Sequence, residues 1–217
     1  MMDIFDFWKD VGPACRIHPK DEGIISRYPK GEHALNLDCC PVPFYGPLRT
    51  AAIVLLYLNP GLSDSDTNDA KSAEGQKFWF DQRSGTALLR SQEILEKKSW
   101  WVSRTKRFGV DPEHLRSRMA VLEICPYHSK SFEDGPLLAA LPSCRASIEW
   151  AQQTLFPSAI DGGRVVVCLR AASYWGLVPG NCYGESLFAP RTARSGHMMD
   201  DDIRETVIAT VQRKLNS

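Results

Sequence analysis

AAIVLLYLNPGLS, residues 51–63, begins as an unbroken apolar run of eight residues, Ala51 to Leu58, and then turns at Asn59-Pro60-Gly61. A run that apolar suits a strand covered on both faces, as in a parallel sheet, rather than the alternation of a half-exposed strand. Three further segments share the character: MAVLEIC (119–125), RVVVCLR (164–170) and the weaker ESLFAP (185–190). Helical patterns lie between and after them. FDQRSGTALLRSQEILEKK (80–98) is rich in helix formers, and SCRASIEWAQQTLF (143–156) sets Cys144, Ile148, Ala151 and Leu155 on one face behind a Pro142 start signal. AASYWGL (171–177) is long enough for a short helix. In DDDIRETVIATVQRKL (200–215), Ile203, Val207, Val211 and Leu215 recur every four residues, with acids in the first turn and Arg213-Lys214 in the last, as the helix dipole favours.

Strands alternating with helices predict an α/β three-layer sandwich around a four-stranded, mostly parallel sheet. The α/β portion is expected over 51–217. Residues 1–50 carry Pro13, Pro19, Pro29, Pro41, Pro43 and Pro47 and little periodicity beyond IFDFWKDV (4–11). They are expected to form one helix and a proline-rich wrap over the sheet edge, within the same domain.

Composition narrows the partners. With 26 basic and 26 acidic residues, no overall positive field draws the chain to nucleic acid, so such a partner must be held by local patches. The longest apolar run is too short to cross a bilayer, and Met1–Asp10 carries three acids, so a soluble, unexported protein is expected. Seven scattered cysteines with no C-x-x-C spacing argue against a disulfide scaffold and for a reducing cytoplasm, and neither a metal nor an organic cofactor is expected.

In an open α/β sheet the ligand crevice lies beyond the carboxyl ends of the strands. The residues there are Asn59-Pro60-Gly61-Leu62-Ser63, Pro126-Tyr127-His128-Ser129-Lys130, Arg170, and Arg191-Thr192-Ala193-Arg194-Ser195-Gly196-His197. These loops supply amide, imidazole and guanidinium groups without the serine, histidine and acid order of a hydrolytic triad. Asn59-Pro60-Gly61 itself reads two ways, as a plain turn with Ser63 or Asp64 capping a helix, or as the floor of a site.

Asn59-Pro60-Gly61-Leu62-Ser63 resembles the first motif of the uracil-DNA glycosylase superfamily, closest to its mismatch-specific uracil/thymine branch. Phe78-Trp79 falls where that branch has an aromatic pair. LEICPYHSK, VVVCLRAASYWGL and FAPRTARSGHM resemble its central strand, hydrophobic strand and second motif, so the likeness spans roughly Ala51 to Met199. It implies hydrolysis of the N-glycosidic bond of a deaminated or damaged base flipped out of DNA. Asn59 would orient the water and His197 would donate to the base oxygen or a phosphate. Gly61, Leu62, Ser63, Phe78, Tyr127 and His128 would hold the base, and Arg191, Arg194, Ser195, Lys106 and Arg107 the DNA backbone. The run from Lys97 to Arg107 around Trp100-Trp101 contains no acid and is the best DNA-facing surface. Two departures stand out: 64–77 lacks the branch's stacking aromatic and holds Asp64, Asp66, Asp69 and Glu74, and Tyr57-Leu58 stands where a small Gly-Ile is usual. A diverged member that binds nucleic acid or a nucleotide without cleavage, and an unrelated small-molecule α/β enzyme using His128 or His197 as base, are the alternative readings.

Overall fold

A computed structural model describes residues 3–28, 35–91, 100–109, 111–132, 134–200 and 203–216. The protein is α/β with a six-stranded mixed sheet. In chain order the strands are β1 (Phe44–Tyr45), β2 (Ile53–Tyr57), β3 (Met119–Glu123), β4 (Val165–Cys168), β5 (Asn181–Tyr183) and β6 (Leu187–Ala189), arranged β1-β3-β2-β4-β6-β5. The four apolar runs of the sequence form the parallel inner block β3-β2-β4-β6. The expectation of four strands is corrected to six: β1 pairs antiparallel with β3, and β5 antiparallel with β6. Both added strands escape the apolar pattern. β1 is two residues beside Pro43, and the residues of β5 are exposed or only half-buried.

Strand alternation divides the inner block between two cores. Val54, Leu56, Ala120, Leu122, Val166 and Cys168 face one, which the helix Ile4–Trp8 and the helices of 135–160 cover. Ile53, Leu55, Tyr57, Met119, Val121, Val165 and Val167 face the other, closed by residues such as Ala70, Trp79, Trp101, Leu115, Val207 and Val211. With helices on both faces, every residue of β2, β3 and β4 is buried, which is why these strands read as continuous apolar runs.

The helix beginning at Pro142 runs to Trp150, widens through an i→i+5 turn over Ala151–Leu155, and resumes at Phe156–Ile160. Pro157 cannot donate in the ladder and its ring crowds the preceding turn, so the backbone opens there. The last helix is Arg204–Asn216. The expected 80–98 helix is instead Ala73–Gln82, ended at Gly85 with φ +71°, and residues 92–99 lie outside the described set. Residues 171–177 form successive turns, not a helix. Ala171 sits at φ 59°, a left-handed conformation that an L side chain enters at a cost of ~1 kcal/mol.

Among the first fifty residues the described parts hold the helix Ile4–Trp8, a single turn Glu22–Ile25 and β1. They are tied down through a buried polar network. Tyr127 Oη donates to Asp21 Oδ2 at 2.6 Å and accepts from His18 N at 3.1 Å, while Ser143 N donates to Asp21 Oδ1 at 3.1 Å. Burial, then the Asp21 carboxylate, push the phenol's pKa far up, so it stays a donor. Tyr127→Phe leaves Asp21 and the His18 amide short of a partner and is expected to cost ~1–3 kcal/mol, read by urea denaturation.

Candidate functional site

β2 and β3 stop on the same rung, where Tyr57 and Glu123 are Cα partners. Beyond it the loops 58–63, 124–131, 169–170 and 190–198 leave the sheet, and on the second-core face they bound a cleft of about 810 Å³. Tyr57 and Glu123 come from the strand ends and Val121 from the middle of β3. Tyr45, Trp79, Trp100 and Trp101 form an aromatic wall with ring centroids 5.2–5.7 Å apart between neighbours. Trp79 is fixed by its Nε1 donating to Asp69 Oδ2 at 3.0 Å, and Asp69 in turn pairs with Arg90 at 2.7 Å.

Asn59 lines the cleft. Its Nδ2 donates to Pro60 O at 2.8 Å and to Tyr127 O at 3.4 Å, which fixes the carboxamide and leaves Oδ1 with no partner among the described residues. Gly61, Leu62 and Ser63 also line it. Ser63 additionally caps the helix Asp64–Lys71 in a reciprocal box with Asp66: Ser63 N donates to Asp66 Oδ2 at 2.7 Å, and Asp66 N to Ser63 Oγ at 3.4 Å. The turn and cap reading of 59–63 therefore holds, and the same residues line the cleft.

His128 lines the cleft but is buried, with Nδ1 2.6 Å from Gly61 O and Nε2 3.2 Å from Cys40 O. Both ring nitrogens are turned to backbone carbonyls, one of which takes the single N–H of a neutral ring, so the imidazole is held against the backbone and not aimed at a base. Tyr127 is 1% exposed in the opposite core and cannot stack on a ligand here. Phe78 packs on Tyr45 and under Arg90, 3.8 Å from its ring, and it is Trp79 that reaches the cleft.

Arg194 and Ser195 line the cleft, whereas Arg191 and His197 do not. His197 Nε2 receives Arg104 Nη1 at 2.7 Å and Nδ1 lies 2.9 Å from Ser195 Oγ, while Arg104 Nη2 bonds Ser195 O. Desolvation, and then Arg104, Arg107 and Lys106, lower the imidazole pKa. A ring that accepts at Nε2 and faces a hydroxyl at Nδ1 has no spare donor for the base that the resemblance implies, and it is Arg104, not His197, that lines the cleft. Lys106 and Arg107 are exposed outside it. Gly196 adopts φ +81° over Tyr57, where a Cβ would lie 2.9 Å from the ring's Cε1, so the loop closes only with glycine.

Glu123 stands out from every other group here. It is 6% exposed, lines the cleft, and its Oε2 is sealed with no partner among the described residues. The Tyr57 hydroxyl, at the same cleft, is sealed as well, with the Arg104 side chain beside it. Burial pushes the Glu123 pKa up to about 8, opposed by Arg170. Burial also raises that of Tyr57, against Arg104. The apolar neighbours of Glu123 in MAVLEIC hide it in the sequence, and the one signal is a carboxyl residue inside a fully buried strand.

Compared with protein-family models, curated proteins and solved structures, the chain gives no match.

Because the Glu123 carboxyl titrates at about 8 in the fold against an ordinary 4.5, the folded state keeps a proton that the unfolded chain has released between those values. Stability therefore falls as pH rises across that window and levels off above it. Glu123→Gln removes the slope. Its advantage over the wild type is expected to widen from pH 5 to pH 9, on the order of a few kcal/mol, by urea denaturation at the two values.

Proposed function

We propose that this cleft hydrolyses the N-glycosidic bond of a deaminated, uracil-like base turned out of DNA, in a glycosylase-like sandwich built on the four parallel strands. The observation that carries the reading is Asn59: a carboxamide pinned by two backbone carbonyls, with its oxygen unpartnered, at the mouth of an aromatic-walled cleft. A planar heterocycle fits between indole and phenol rings, and base stacking on such rings contributes ~1–3 kcal/mol. Lys130, Arg194, Arg104 and Arg170 bring positive charge to the same opening, which suits a phosphate backbone.

In this mechanism the sugar C1′–N bond breaks through an oxocarbenium-like state while the electron pair leaves with the base. Asn59 Oδ1 accepts a hydrogen bond from the attacking water and aims its oxygen at C1′. An amide does not titrate usefully, so its contribution is orientation. The identity of residue 59 then matters in a specific way. Aspartate in its place would set a carboxylate against Pro60 O and Tyr127 O, losing the two donations that hold the side chain.

The test uses labelled single- and double-stranded oligonucleotides bearing uracil, hypoxanthine or a thymine mismatch, followed by alkali to reveal abasic sites. The wild type is expected to cut at least one, Asn59→Ala to be slower by about 10²-fold with binding nearly unchanged, and Asn59→Asp to give no rescue. A salt-dependent gel shift without product would assign the cleft to binding alone. Neither shift nor product would remove nucleic acid from the reading.

A further inference from the structure

One buried polar group of the cleft is a carboxyl that no described residue bonds, on the strand next to the one that leads into Asn59. The groups around it come from every side. Tyr45 on β1, Tyr57 on β2 and Arg170 after β4 belong to the sheet side, and Arg104, Asp66, His128, Lys130 and Arg194 to the helices and loops above. Most already have partners. Asp66 serves the Ser63 cap, His128 two carbonyls, Arg104 the His197 ring and Ser195 O, and Arg194 Ser131 Oγ at 2.9 Å. No described hydrogen bond or ion pair satisfies Glu123, and a buried polar group left so calls for an explanation in ligand or water.

We propose that Glu123, turned about its own side-chain bonds so that the sealed oxygen also faces the cleft, meets the base as a neutral carboxylic acid, its carbonyl accepting from a ring N–H and its O–H donating to the adjacent ring carbonyl, so that the cleft selects lactam or imide bases. This rests on the reading of the cleft as a base-excising site. A carboxylate would set two acceptors against an edge that presents one donor and one acceptor, whereas the acid matches both. As the glycosidic bond breaks, negative charge gathers on that ring oxygen, and a donor fixed there in a dry site strengthens as the charge grows. An acid kept neutral by an apolar site so that it can donate is a known device for this purpose. Burial of the carboxyl works the same way, pushing its pKa up to about 8. The covalent change is one C1′–N bond broken with its electron pair left on the base and one C1′–O bond made from water. The water's proton ends on the departed base, and Glu123 keeps its own throughout.

The deciding measurement is the single-turnover rate on a uracil-containing oligonucleotide from pH 6 to 9.5. Wild type is expected to lose rate about tenfold per pH unit above its titration point, because the anion cannot donate. Glu123→Gln, whose amide presents the same donor and acceptor, is expected to stay within about tenfold of wild type at pH 7 and to lack the alkaline limb. Glu123→Ala should be slower by about 10²–10³-fold in the chemical step with oligonucleotide binding intact. An alkaline limb that persists in Glu123→Gln, or a Glu123→Gln enzyme as slow as Glu123→Ala, overturns the proposal and leaves the glycosylase reading standing. If no oligonucleotide is cut, calorimetry with free uracil and hypoxanthine decides. Binding that weakens with pH in wild type but not in Glu123→Gln upholds the role of Glu123 while the hydrolytic reading falls, and no binding overturns both.

Discussion

Everything at the cleft follows from the last rung of the β2–β3 ladder, where Tyr57 and Glu123 stand side by side at the point where the strands end. One residue earlier in the inward-facing series, Leu55 is filled over by the second core while Val121 already borders the cleft. At the rung itself the layer opens, and the Glu123 carboxyl is left with an oxygen sealed and without a partner among the described residues. Such a group costs about 1–3 kcal/mol relative to a satisfied one. The fold tolerates this because the two apolar cores on either side of the sheet supply the stability, and unsatisfied groups of this kind concentrate where a ligand completes them.

Arg104 links that floor to the surface. From the helix Trp100–Thr105 it bonds the imidazole of His197 and the carbonyl of Ser195, so the basic run and the 192–198 loop form one rim. That loop is itself closed by the Thr192–Met198 bridge. A chain of zero net charge thereby gathers Arg104, Lys106 and Arg107 within electrostatic reach of His197. The acids of 64–74 oppose this field less than their number suggests. Asp69 is paired with Arg90, and Asp66 is turned into the Ser63 cap, leaving Asp64 and Glu74 on the exposed surface.

What could be read in the sequence was whatever a period or a position encodes. The four buried strands showed as apolar runs because both faces are covered, and the last helix showed through its four-residue repeat. The crevice position followed from strand direction, which brought Asn59, Ser63, Lys130, Arg170 and Arg194 to one cleft. What could not be read depends on which way a side chain turns. Tyr127 and His128 are adjacent, yet one ring lies in the opposite core and the other beside the cleft, because the chain after β3 carries successive residues to opposite sides. His197 sits in the right loop and spends its nitrogens on its neighbours. Glu123 is disguised by burial, and β1 and β5 are too short or too polar to leave a pattern.

Under the glycosylase reading the two departures from the family pattern explain each other. Residues 64–77 offer no stacking ring, but Trp79, Trp100 and Trp101 reach the cleft from helices on either side of it, so the aromatic wall is assembled from other segments. Tyr57, where a small residue is usual, fills the floor and packs against Trp100 at 5.0 Å. A bulky floor requires the overlying loop to approach without a side chain, and Gly196 meets that requirement with its left-handed φ and its close passage over the Tyr57 ring. Glu123 is the rung partner of Tyr57 beneath this loop, and burial pushes its carboxyl pKa up. On that reading Tyr57, Gly196 and Glu123 belong to one unit, because a smaller ring at 57 would open space beside the carboxyl and weaken the burial that favours its protonated form.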